Sequence, residues 1–168
     1  MKDITGRKQL EEKLRLSEQA TAARASELEA VFEAMTDGVV VYDNQGHILR
    51  MNTAYRTFIA LDANPEHALL SPDERGDMLQ LRDEHGHPLP AEQRPVTRML
   101  NGEVLTGNNT MDIMLRALDG HELQLNISGT PTRDSEGKLI GGVMIFRDVT
   151  ERRRLERSTR EALEGLLV

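Results

Sequence analysis

The stretch that most constrains this chain is Leu139 to Arg154, LIGGVMIFRDVTERRR. Its first half alternates: Val143, Ile145 and Arg147 fall on one side, Met144, Phe146 and Asp148 on the other. Both rows are largely apolar, so the strand is expected inside a sheet covered on both sides. From Glu151 the pattern becomes charged and helical. A central strand that runs directly into an exposed helix is a mechanical link, because whatever bends the sheet is felt by the helix.

The same stretch has an echo at the start of the chain. Asp3, Ile4, Thr5, Arg7, Lys8, Leu10 and Glu11 correspond to Asp148, Val149, Thr150, Arg152, Arg153, Leu155 and Glu156 at a constant offset of 145 positions. That spacing is about the size of one domain and too long for a solenoid repeat. It implies that the chain begins on the tail of one domain and holds the next one complete, as in a tandem array. The expected division is a linker helix over 1–27, a domain over 28–150 and a truncated exit helix over 151–168.

Composition narrows the function classes. The net charge of −7 argues against a nucleic-acid surface, and the basic run Arg152-Arg153-Arg154 reads as a solvated helix face. There are no cysteines, which excludes disulfides, thiolate metal sites and any cysteine-linked chromophore. No apolar run approaches the ~20 residues of a membrane span, and no signal peptide is visible. A cytoplasmic setting is the expectation, with no membrane in this segment.

Asp3 to Thr36 reads as one long helix. Leu10, Leu14, Ser17, Thr21, Arg24, Leu28, Val31 and Met35 recur in steps of four and three, the coiled-coil spacing. The seam is apolar at its ends and polar in its middle. Its first half is expected to pair with a partner helix, and Leu28 to Met35 to pack on the domain. Two short strands follow, Val39 to Tyr42 and His47 to Met51, joined by the turn Asp43 to Gly46. Asn52 caps a helix over Thr53 to Ile59. Asp62 to Pro90 reads as loops and short turns with a small strand-like piece at Leu79 to Leu81. A helix is expected over Ala91 to Asn101, with Pro95 early in it. Three strands then form a meander, Asn109–Leu118, His121–Thr132 and Leu139–Asp148, with tight turns that demand antiparallel pairing. The last helix repeats the seam with Leu155, Thr159, Ala162 and Leu166.

This order, with Asp43-x-x-Gly46, Met51-Asn52, Arg94-Pro95, Asn101-Gly102-Glu103, Leu118-Asp119-Gly120, Thr130 to Asp134 and above all Phe146-Arg147-Asp148-Val149-Thr150-Glu151-Arg152, resembles the PAS domain family. The resemblance covers roughly Leu28 to Arg154. It implies an α+β fold, a five-stranded antiparallel sheet of order 2-1-5-4-3 with helices on one face and coiled-coil-like helices at both ends. Its terminal Asp-Ile/Val-Thr signature ties the sheet to the exit helix, here through Asp148 and Thr150. Thr150 is well placed to cap that helix, and Asp148 is expected to pair with Arg116.

Other chemistry finds little support. His85 and His87 lie two apart beside Asp83 and Glu84, but a polar loop explains them, and no metal site is assigned. The resemblance disfavours haem, because the helix that carries the iron ligand in haem-binding relatives has no histidine here. No nucleophile or phosphate-loop spacing occurs, and Gly141-Gly142 lies inside a strand, where it permits close packing or a bulge. Tyr42, Phe58, Met114, Gln124, Asn126 and Ser128 are the candidate lining of a pocket on the sheet's inner face. The resulting expectation is a non-enzymatic, homodimeric PAS relay in a tandem, multidomain two-component protein. It passes a signal through parallel flanking helices to a histidine-kinase output. Two alternatives stand beside it: a sensor of gas, redox state or a small metabolite through a bound cofactor or ligand, and a passive dimerisation scaffold.

Overall fold

The computed structural model describes residues 2–167, with side chains from Ile4 onward. The side chain of Asp3, one member of the echo, and the terminal Val168 lie outside them. The chain divides into two compact units, 1–34 and 35–168.

The first unit is the helix α1 (Lys2–Ala34). Nothing in its sequence before Ala34 breaks a helix. Its seam residues Leu10, Leu14, Leu28 and Val31 are exposed, the last two by 66% and 61%.

The second unit is an antiparallel sheet with helices on one face. Its elements are β1 (Gly38–Asp43), β2 (Ile48–Met51), α2 (Thr53–Phe58), α3 (Pro72–Met78), β3 (Arg82–Asp83), α4 (Pro95–Leu100), β4 (Met111–Arg116), β5 (Glu122–Arg133), β6 (Leu139–Asp148) and α5 (Thr150–Leu166). The sheet has six strands in the order β2-β1-β6-β5-β4-β3. The five expected strands keep their predicted order, and the correction is one short edge strand, β3, beside β4. Its cause is a turn that repeats itself. Asp43-x-x-Gly46, Asp83-x-x-Gly86 and Asp134-x-x-Gly137 each place the aspartate carboxylate on the backbone N–H groups two and four residues on. Each closes with the Asp N–H donating to the carbonyl of the residue after the glycine, at 3.0, 2.8 and 2.9 Å. The middle copy folds Arg82–Asp83 back as a strand edge.

The expected helix over Ala91 to Asn101 is split into a 3-10 turn, Ala91–Gln93, and α4. Arg94 between them is extended at φ −72° and ψ 148°, because a residue before proline is driven out of the helical region.

β6 lies between β1 and β5, as its apolar rows suggested. Only one of its faces is covered. Met144 and Phe146 are buried under the helices, whereas Ile145 on the other row is 36% exposed. The expectation of cover on both sides thus fails within the chain.

The core closes at two glycines set diagonally across the β5–β6 pair. Met99 of α4 is fully buried and its thioether rests over Gly129 of β5 and Gly142 of β6, where an added Cβ would crowd it at Gly129 and overlap it at Gly142. Next to this socket, Gly141 has φ +154°, and a Cβ there would overlap the Tyr42 carbonyl oxygen. The pair Gly141-Gly142 is thus a close-packing device between β6, β1 and α4. Gly141→Ala is expected to lower stability by roughly 2–4 kcal/mol, with loss of β1–β6 pairing. The urea midpoint reads the first, and an unchanged midpoint would contradict the overlap.

Candidate functional site

Two places in the second unit gather groups that a merely structural domain does not need. The first is a cavity of about 60 Å³ between the sheet and the segment holding α3 and α4. Its floor is Ile113, Leu115, Ile127, Met144 and Phe146; Leu79 and Val96 contribute to the other side. Three polar side chains that are nearly fully buried also line it: Tyr42, Tyr55 and Arg75.

Each of the three arrives there for a local reason. Tyr42 occupies the inner row of β1 with Val40, opposite Gly142. Tyr55 is on α2, whose N-cap Asn52 accepts from the Tyr55 N–H at 3.1 Å and from the Val39 N–H at 2.9 Å. Asn52 also donates to the Asp37 carbonyl at 2.9 Å, so one buried amide joins the start of β1 to α2. The Tyr55 ring packs on Phe146 with centroids 4.8 Å apart. Arg75 is on α3, which begins with Ser71 as N-cap, Pro72 at its first position and Glu74 returning to the Ser71 hydroxyl.

Arg75 donates to the Leu70 carbonyl at 2.7 Å and to the Gly46 carbonyl at 2.6 Å. Its guanidinium carbon sits 5.6 Å from the Tyr42 ring centroid. Burial pushes the Tyr55 hydroxyl up to about 12, against the opposing pull of Arg75. The same burial raises Tyr42 well above its usual value. Both phenols therefore keep their protons at neutral pH and remain hydrogen-bond donors.

Nearby, His67 is fully buried, with Nδ1 3.4 Å from the Met78 sulfur and Nε2 without a partner. Burial, with a smaller push from Arg75, holds its imidazole down at about 4.

The second place is the junction of β6 with α5. The Gln124 N–H donates to Thr150 Oγ at 2.9 Å, and that hydroxyl faces the Gln124 carbonyl at 3.4 Å. The Val149 N–H donates to the same carbonyl at 2.9 Å. Thr150 thus clamps the first residue of α5 to the neighbouring strand β5. It does not cap the helix as expected. Val149 holds the N-cap position without a side-chain cap bond, and the Asp148 carboxylate accepts from the Thr150 N–H at 2.9 Å. The expected pair of Asp148 with Arg116 is also corrected. Asp148 is level with Leu125, and Leu125 with Ile113, three residues short of Arg116. Arg116 instead bonds the Gly120 carbonyl at 3.1 Å and lies 3.9 Å from Glu122. The base that ties helix to sheet is Arg153, one turn into α5, 3.0 Å from Asp112 of β4. Arg147 reaches Asp37 at 3.3 Å.

The expected pocket residues separate. Tyr42 lines the cavity; Phe58 packs against the core beside it. Met114, Gln124, Asn126 and Ser128 lie on the opposite sheet face, because the alternate row Leu123, Leu125 and Ile127 is the one buried under the helices. Asn126 there bonds Thr110 and Asp112, each at 3.1 Å. The exit-helix seam residues Leu155 and Leu166 are exposed. Tyr55, Arg75 and His67 were missed. The signal for α3 was the run Ser71-Pro72-x-Glu74, a capping box at a helix start. Among the described residues no three histidine, cysteine, aspartate or glutamate side chains gather as a metal site, and no helix is long and apolar enough to cross a membrane.

The family described as the PAS fold matches residues 32–154. The chain belongs to the PAS family. As a PAS chain it is similar to the alginate biosynthesis sensor protein KinB of Pseudomonas aeruginosa, 29% identical over 136 residues, 77% of this chain and 19% of that protein. It therefore spans about a fifth of that relative's length. Among solved structures it is similar to the PAS domain of an HTR-like protein from Haloarcula marismortui. That likeness has a TM-score of 0.57 and 21% identity, over 80% of this chain and 98% of the other. It is also similar to an RNA-binding light-oxygen-voltage receptor, with a TM-score of 0.59 and 19% identity over 86% and 38%. These structural likenesses concern the fold.

The buried histidine gives a pH prediction. Between pH 6.5 and about 4 the unfolded chain binds a proton at His67 that the folded chain does not. Stability therefore falls as pH drops through that window. His67→Gln is expected to flatten this part of the urea-midpoint profile, and slopes identical to the wild type would remove His67 from the account.

Proposed function

We propose that this PAS domain is a dimeric relay that passes a conformational signal from its sheet, through α5, to an output domain of histidine-kinase type. The observation that carries the reading is the two-way bond of Thr150 with Gln124, reinforced by Arg153 and Asp112. It makes the first turn of the exit helix part of the sheet. A change in sheet twist then moves the helix, and an exposed leucine seam on α5 gives a partner helix something to follow. In this reading the domain does no chemistry of its own. The KinB relative, a sensor protein, supports the signalling role.

A second reading, a sensor of a small molecule, is favoured by the cavity with its three buried polar side chains. It is compatible with the first, since the ligand would supply the signal that the junction relays.

The relay is tested on the chain itself by sedimentation and by spin labels placed on α5. A dimer is expected, and Leu155→Glu should weaken it at least tenfold. Thr150→Val, which keeps shape and removes the bond, should broaden or shift the distance between the two exit helices while the melting temperature falls by only a few degrees. A monomer at all concentrations, or an unchanged distance in Thr150→Val, would sink the reading.

A further inference from the structure

Arg75 is a cation placed where cations rarely stay unbalanced. It is 5% exposed, and its recorded partners are two backbone carbonyls and the face of Tyr42. Among the described residues no carboxylate pairs with it. Carbonyls satisfy two of its five N–H donors but bring no negative charge. A buried charge with no counter-ion is costly. By contrast Arg94, on the same cavity wall, is matched by Asp77 at 2.6 Å.

The hydroxyls of Tyr42 and Tyr55 add a second, independent observation. Both residues are nine-tenths buried or more and line the same cavity. Neither hydroxyl donates to a described residue, and neither is sealed from water, His67 Nε2 being the one fully buried unpartnered side-chain atom among the described residues. Buried phenols normally find a partner. Two phenols, the unpaired Arg75, the Asp77-paired Arg94, Asp73 and Thr97 thus border one cavity whose remaining lining is mostly apolar. A cavity of about 60 Å³ is well below the ~150 Å³ that accommodates benzene. It admits only a few non-hydrogen atoms.

We propose that this cavity binds a carboxylate of one or two carbons, its oxygens held by Arg75 and the hydroxyls of Tyr42 and Tyr55, its carbon end against Ile113, Ile127 and Met144. The proposal rests on the sensor reading above and names its ligand class. Arg75 also holds the Gly46 carbonyl in the β1–β2 turn, so binding draws together α3, β1 and the β6 row that carries Met144 and Phe146.

The test is calorimetric titration and thermal melting of the chain with sodium formate and sodium acetate, against sodium chloride and sodium nitrate at equal ionic strength. The carboxylates are expected to raise the melting temperature in a concentration-dependent way and the other two salts are not. Tyr42→Phe and Tyr55→Phe, which keep the rings, should each weaken carboxylate affinity at least fivefold, and the double variant should lose the response. Three results overturn the proposal: no carboxylate-specific rise, a rise undiminished in the double variant, or an equal rise with nitrate. In a dry core the phenylalanine variants would instead gain stability with no dependence on salt identity, which also overturns it. None of these outcomes involves the exit helix, so failure here leaves the relay to be judged by its own distance measurement.

Discussion

Everything in the second unit depends on how closely β6 can approach its neighbours. The strand pairs with β1 over Gly141 to Phe146 and with β5 over Leu139 to Asp148. It accepts Met99 from above at Gly142 and then leads into α5. A side chain at either glycine would force the strand away from Tyr42 or from Met99. Two residues without side chains therefore set the spacing of three elements, and the apolar row Met144 and Phe146 is buried as a consequence. The hydrophobic contribution of that row, roughly 1.5–3 kcal/mol per fully buried side chain, is available only because the backbone approach is permitted.

Strand alternation made most of this arrangement legible in the sequence. β4, β5 and β6 follow from period-two patterns, and their order from short turns and the PAS resemblance. What alternation cannot supply is the choice of face for a functional group. The polar row Gln124, Asn126 and Ser128 is the expected lining of the inner face, yet burial decides the face, and the row of Leu123, Leu125 and Ile127 is the inner one. The polar groups of the cavity come instead from β1, α2 and α3. Arg75 and Tyr55 are 20 residues apart in sequence and meet only through the tertiary fold, which no local pattern encodes. The sixth strand was a different kind of omission. Its turn has the same Asp-x-x-Gly chemistry as the Asp43 to Gly46 turn read from the sequence, but prolines around it mask the signal.

The junction shows how a short signature can be right in its residues and mistaken in their parts. Asp148 and Thr150 both act where expected. The Thr150 hydroxyl is turned to Gln124 of β5 and away from its own helix. The N-cap position belongs to Val149, and Thr150 is already the first helical residue. Bonding Gln124 meets backbone groups at the end of β5, next to a strand that stops at Asp148. The base that completes the junction, Arg153, belongs to the basic run that composition alone assigns to solvent. Only its position on the helix, facing Asp112, separates it from its neighbours Arg152 and Arg154.

The cavity and the junction share one strand. Met144 and Phe146 form part of the cavity floor, and Asp148 is the next residue of that same row, level with Leu125 and one position from the Gln124 that Thr150 grips. A ligand that alters the floor therefore acts on the strand two residues from the clamp, without any long chain of intermediates. The clamp itself consists of a few hydrogen bonds near the surface, each contributing about 1 kcal/mol. A difference of that size between two junction geometries lies within what differential ligand affinity can shift. The same weakness sets a limit on direction: coupling is reciprocal. A partner that holds the exit helices in one arrangement must therefore change the affinity of the cavity by the same factor.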